Sequence, residues 1–99
     1  MPKNPLEGIT AIDPEFMEFI KNSDKLIYGD GALPRKFKLL IALAFDAANG
    51  AQDGVKFLAN AAIKAGSTTQ EIAEALRVAY HLSGVGCLYT ASRALEEKA

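Results

Sequence analysis

The stretch ANAAIKAGSTTQEIAEAL, residues 59–76, contains the end of one helix and the start of another. Ala62 and Ala65 continue an apolar stripe begun by Val55 and Leu58. Gly66 then stands where a helix takes its closing glycine, a residue with no Cβ penalty in the left-handed region. Thr68 and Glu71 have the spacing of a capping box, in which each side chain satisfies a backbone N–H of the other residue. Beyond it, Ile72, Leu76, Ala79 and Ser83 recur at helical spacing. The stretch therefore predicts two amphipathic helices joined by a short capped turn.

The same periodicity extends in both directions. Upstream, NGAQDGVKFLANAAIKAG (residues 49–66) reads as a stop at Asn49-Gly50, a restart, and a helix running to Ala65. Gly54 falls in its first turns, where glycine costs roughly 1 kcal/mol relative to alanine. Before it, Pro34 opens a helix, PRKFKLLIALAFDAAN, that is apolar on every side from Leu39 to Ala48 except at Asp46. A helix apolar all round is buried all round, so a partner subunit is expected to cover one face. Asp13-Pro14-Glu15 combines an N-cap, a proline at the first helical position and an acid in the first turn. A helix bearing Phe16, Phe19, Ile20, Leu26 and Ile27 follows, until YGDGAL (28–33) breaks it. At the other end SGVG (83–86) separates the helix begun at Thr68 from a last one, whose stripe reads Leu88, Ala91 and Leu95 and which ends in the tail EEKA. No strand pair and no repeat is evident. The expectation is an all-α bundle of about five helices, with residues 1–12 an N-terminal arm and 13–99 a single domain.

Composition narrows the function. The chain has 99 residues, of which 49% are hydrophobic. A domain this small buries only about two-thirds of its unfolded surface, so apolar surface is expected to be left over, which points to an oligomer. Eleven basic residues stand against twelve acidic ones, without a basic run, and nucleic acid is not an expected partner. No stretch is long and apolar enough to span a membrane, and the first residues lack the apolar core of a signal peptide. A single cysteine, Cys87, forms no internal disulfide, and a single histidine, His81, makes the usual metal sites hard to build. A cytoplasmic location is expected, with no metal and no cofactor.

LPRKFKLLIALAF (33–45), the NG at 49–50 and ANAAIKAGSTTQEIAEALRVAYHLSGVGCLYTASRALEE (59–97) together resemble the carboxymuconolactone decarboxylase and alkylhydroperoxidase D superfamily. The likeness covers Leu33 to Glu97, about two-thirds of the chain, and residues 61–76 are its most specific part. The resemblance implies an AhpD-like helical bundle assembled into homo-oligomers, trimers or hexamers, with active sites near subunit contacts. It also implies a peroxidase, antioxidant activity or a lactone decarboxylase. The peroxidase branch carries a glutamate, then Cys-x-x-Cys-x-x-x-His. Counting back from Gly66 puts the cysteine positions at Ala51 and Gly54, the histidine at Leu58 and the glutamate at Leu39. The dithiol reaction needs a thiolate at a helix N-terminus, a resolving thiol one turn away and a proton carrier. Leu39, Ala51, Gly54 and Leu58 supply none of these, so the family's dithiol peroxidase chemistry is expected to be missing.

Three other residues are candidates for remaining chemistry. Cys87, beside Gly86 at a helix start, reads either as a reactive thiol or, more plainly, as a small buried hydrophobe. His81 lies six residues earlier, where it could approach Cys87 or simply satisfy a helix C-terminus. Asp46 should not be buried unpaired, so it is expected to face solvent, a pocket, or a cation such as Arg35, Lys56 or Arg77. The functional reading of Asp46 is a pocket acid with a raised pKa. Asp53 and Lys56 flank the emptied motif and have ordinary roles near a helix start. Tyr80 and Tyr89 read as core rings with their hydroxyls at the rim, and Glu71, Glu74 and Arg77 as a solvated face. The alternative to an enzyme is a non-catalytic oligomeric module that binds a small apolar ligand or a homologue retaining the motif.

Overall fold

Asp13 begins the first long helix as its local chemistry predicts: its carboxylate accepts the Phe16 N–H at 3.1 Å, with Pro14 next in line. The computed structural model describes residues 6–96; Pro2, Pro5 and the last three residues of the charged tail lie outside that range. The described residues form α1 (Glu7–Ile12), α2 (Pro14–Tyr28), α3 (Arg35–Ala48), α4 (Gln52–Lys64), α5 (Thr69–Ser83) and α6 (Gly86–Glu96), and contain no strand. The stretch read as an arm thus carries a short helix, α1, none of whose residues is buried. Its six residues lack the apolar repeat that marks the others.

Helix α3 is the centre of the bundle and packs on α4, α5 and α6; α4 also lies against α6, and α5 against α6. Leu39, Leu40, Leu43 and Ala47 form its buried side. Many of the other core residues are small: Ala59 and Ala62 from α4, and Cys87, Ala91 and Ala94 from α6. Small side chains let helix axes approach closely, which suits a domain with few large residues to bury. Most of the expected stripes of α4 and α5 hold, with Val55, Leu58, Ala62, Ile72, Leu76 and Ala79 all buried, but Ala65 is only partly covered and Ser83, at the end of α5, is exposed. In α6 Ala91 is buried as expected, but its stripe is completed by Cys87 and Ala94 in place of Leu88 and Leu95. Cys87, Ala91 and Ala94 face the core, while Leu88 is exposed and Leu95 only partly covered.

Two helices end in the same way. At the end of α4 the Ser67 N–H donates to the Ala62 carbonyl at 2.9 Å and the Gly66 N–H to Ile63 at 3.0 Å, with Gly66 at φ +103°. This is a Schellman motif, and it uses the freedom of glycine. At the end of α3 the Ala51 N–H reaches the Asp46 carbonyl at 2.8 Å and the Gly50 N–H reaches Ala47 at 3.3 Å. The chain is thereby turned back at once, and α4 runs antiparallel to α3. The Thr68–Glu71 capping box is formed in both directions, at 3.0 and 2.9 Å. Glu71 does more than line a solvated face: it also pairs with Lys36 of α3 at 3.2 Å, joining α5 to α3.

Candidate functional site

The tight turn after Ala48 fixes the one polar group of the apolar helix. Asp46 lies in the last turn of α3, three residues before the cap Asn49, so its side chain meets the first turns of α4. There it lies against Gly54. A Cβ placed on Gly54 would fall 2.8 Å from Asp46 Cγ and closer still to Oδ2. The missing side chain of Gly54 is therefore the space in which the Asp46 carboxylate sits.

The Asp46 carboxylate is half-buried, and among the described residues it accepts no hydrogen bond and joins no ion pair. The expected pairing with a cation such as Arg35 or Arg77 is not formed, because Arg35 turns to the carbonyl of Tyr28 and Arg77 points outward from α5. Burial raises the Asp46 carboxyl above its ordinary value of 3.8. Tyr28, at the end of α2, packs against the core close enough to feel this charge. Its hydroxyl is pushed up by burial, then by Asp24 and Asp46, against the opposing pull of Arg35. Tyr28 read in the sequence only as the start of a chain break, and its nearness to Asp46 has no local signal.

The motif positions hold no reactive group. Leu39 and Leu58 are buried in the core, and Ala51 is the N-cap of α4 without a side-chain hydrogen bond. Beside Gly54 the two helices are packed on Leu43, Ala47 and Val55. A cleft of about 530 Å³ between α3 and α4 opens at their other end, beside Asp30, Arg35, Lys36 and Lys64. It does not include Asp46.

Cys87 is only 2% exposed and belongs to the hydrophobic core. His81 is exposed in the last turn of α5, and no hydrogen bond links it to Cys87. Tyr80 and Tyr89 are both largely exposed rather than packed in the core, since their helices turn smaller residues inward. Among the described residues no three His, Cys, Asp or Glu side chains are grouped as a metal would need, and no helix is long and apolar enough to cross a membrane.

The fold has relatives. The family description "Carboxymuconolactone decarboxylase family" matches residues 14–97. The crystal structure of an apo carboxymuconolactone decarboxylase family protein from Legionella pneumophila superposes with a TM-score of 0.82 at 31% sequence identity, covering 92% of this chain and 81% of that one. An uncharacterized protein of Methanocaldococcus jannaschii is 28% identical over 99 residues, which is 100% of this chain and 92% of that protein.

Proposed function

Because the chain belongs to the carboxymuconolactone decarboxylase family, we propose that it is a non-redox member whose working group is the Asp46 carboxyl. The observation that carries this reading is the seat of that carboxyl over Gly54. A cysteine at position 54 would need the volume that the Asp46 carboxyl occupies, so a second thiol here would require that carboxyl to swing to another rotamer. Ala51 and Gly54 stand at the positions of the peroxidase branch's thiol pair, and on this reading the antioxidant role goes with that pair.

A partly desolvated acid with a raised pKa is suited to giving and taking protons. Loss of carbon dioxide from an organic acid leaves an electron pair on carbon. A carboxyl that keeps its proton can deliver it to that carbon, and the resulting carboxylate is reprotonated from solvent. The substrate class is a small organic acid or lactone acid, and the lone buried cysteine is at home in the cytoplasm.

The test is decarboxylation of carboxylated lactones and 3-oxo acids, followed as carbon dioxide release. Asp46→Asn is expected to abolish turnover and Cys87→Ala to preserve it. Turnover that survives Asp46→Asn would overturn the reading. If there is no turnover, and the Asp46 carboxyl titrates at its ordinary value by carbon-13 NMR, the chain is a non-catalytic module instead.

A further inference from the structure

The cleft between the start of α3 and the end of α4 gathers cations that the fold leaves without a partner. Its volume of about 530 Å³ falls within the range of small-molecule sites. The apolar part of its lining comes from Pro34 and the exposed Phe37 ring at the start of α3, and from Ala61 and Ala65 at the end of α4. Arg35 and Lys64 line it from the same two helices, and both are exposed. Among the described residues neither has a carboxylate partner. Arg35 Nη1 reaches only the Tyr28 carbonyl, at 3.5 Å, the limit of a hydrogen bond. The third cation, Lys36, is taken up: it pairs with Glu71 at 3.2 Å and lies over the Phe37 ring, 5.3 Å from its centroid. The carboxylate in the lining, Asp30, is committed to the start of α3, where Oδ1 accepts the Arg35 N–H at 2.7 Å in place of the side-chain cap that Pro34 lacks. With Lys36 balanced by Glu71, Arg35 and Lys64 stand against Asp30 alone, which leaves one positive charge in excess. A concave, partly apolar wall focuses that charge on whatever enters the cleft.

We propose that this cleft binds a small aromatic monocarboxylate, with its charged end between Arg35 and Lys64 and its ring against Phe37, Ala61 and Ala65. A single excess charge suits a monoanion. The planar guanidinium of Arg35 matches the two oxygens of a carboxylate, and the bond is charge-assisted. A flat ring suits the exposed Phe37 ring, since aromatic pairs gain beyond the area they bury. The site is not the seat of Asp46. Arg35 opens α3 and Asp46 lies in its last turn, so the two are about 16 Å apart along the helix axis. The inference therefore goes beyond the reading of Asp46 as the working group, and it stands or falls apart from it.

The experiment titrates the full chain with benzoate to about 20 mM at pH about 7, followed by the shifts of its backbone amides in NMR. Saturable shifts are expected at residues 35–37 and 61–65, with a Kd of about 1 mM. Benzyl alcohol carries the ring without the charge, and acetate the charge without the ring. Each is expected to bind at least about tenfold more weakly than benzoate. Arg35→Gln and Lys64→Gln change exposed side chains, and each should weaken benzoate at least about fivefold while leaving the thermal melt cooperative. Lys64→Arg should restore binding, which a loss of folding would not allow. Asp46→Asn should bind benzoate as the wild type does. Shifts that never saturate, equal binding of benzyl alcohol or acetate, or indifference to both glutamine variants would each overturn the proposal. So would saturable shifts centred on residues 28, 46 and 54, because they would put the carboxylate at the other end of α3.

Discussion

The Asp46 carboxylate occupies the volume that a side chain on Gly54 would take. The two residues come from consecutive antiparallel helices and are brought together by the Schellman turn at Asn49–Ala51. Their meeting explains why the chain accepts a glycine in the first turns of α4 and a lone carboxylate in an apolar helix.

Gly54→Ala is therefore expected to destabilise the fold. Helix propensity favours alanine by about 1 kcal/mol, and overpacking costs up to about 1–3 kcal/mol, reduced because the atoms met are the end of the flexible Asp46 side chain, so the net effect is a small loss. Asp46→Ala with Gly54→Ala should recover that loss and add the propensity gain. Urea unfolding of the two single variants and the double variant gives a coupling energy expected at about 1–3 kcal/mol. Additive effects would mean that the two residues do not meet.

Stability should depend on Asp46 with a definite sign. Its carboxyl is raised by burial in the folded chain, so the folded state holds that proton more tightly than the unfolded state. The stabilising contribution is complete below 3.8 and is lost as pH rises through the higher folded value. Asp46→Asn, which carries no charge to desolvate, should be more stable than wild type at pH about 7 and lose that advantage near pH about 3. Thermal melts across this range check the prediction.

Glu71 should act in the opposite direction. The Thr68 backbone N–H, then Lys36, hold its carboxyl below the ordinary 4.5. Its contribution is present above 4.5 and disappears as pH falls through the lowered folded value. Glu71→Gln should flatten the acid limb of the stability curve. Thr68→Ala, which removes the other half of the capping box, should cost about 1 kcal/mol in urea unfolding.

Cys87 should behave as a core residue. Because it is 2% exposed, its reaction with a thiol reagent at neutral pH is expected to be slow in the native chain and fast in denaturant. Rapid labelling of the folded protein would contradict its place among Ala91 and Ala94.

The sequence revealed what neighbouring residues decide. Asp13-Pro14, Gly66, Thr68 and Glu71 announce helix ends through bonds spanning three or four positions, and these features are found as read. Asp46 and Gly54 each stand out as anomalies, yet their contact depends on the angle at which α4 returns along α3, which no local signal carries. Lys36 and Glu71 are 35 residues apart, and their pairing is hidden for the same reason. In α6 the size of Leu88 and Leu95 points to them as the partners of Ala91, whereas the small Cys87 and Ala94 are the ones buried beside it. Residue type points Tyr80 and Tyr89 to the core, but the alanines beside them, Ala79 and Ala91, fill it.

The most direct measurement is consumption of an organic hydroperoxide in the presence of a dithiol reductant, by the wild-type chain and by Cys87→Ala. With Asp46 seated where the second thiol would stand, both proteins should match the protein-free blank. Sustained turnover by either would contradict the claim that this helical frame works without dithiol chemistry.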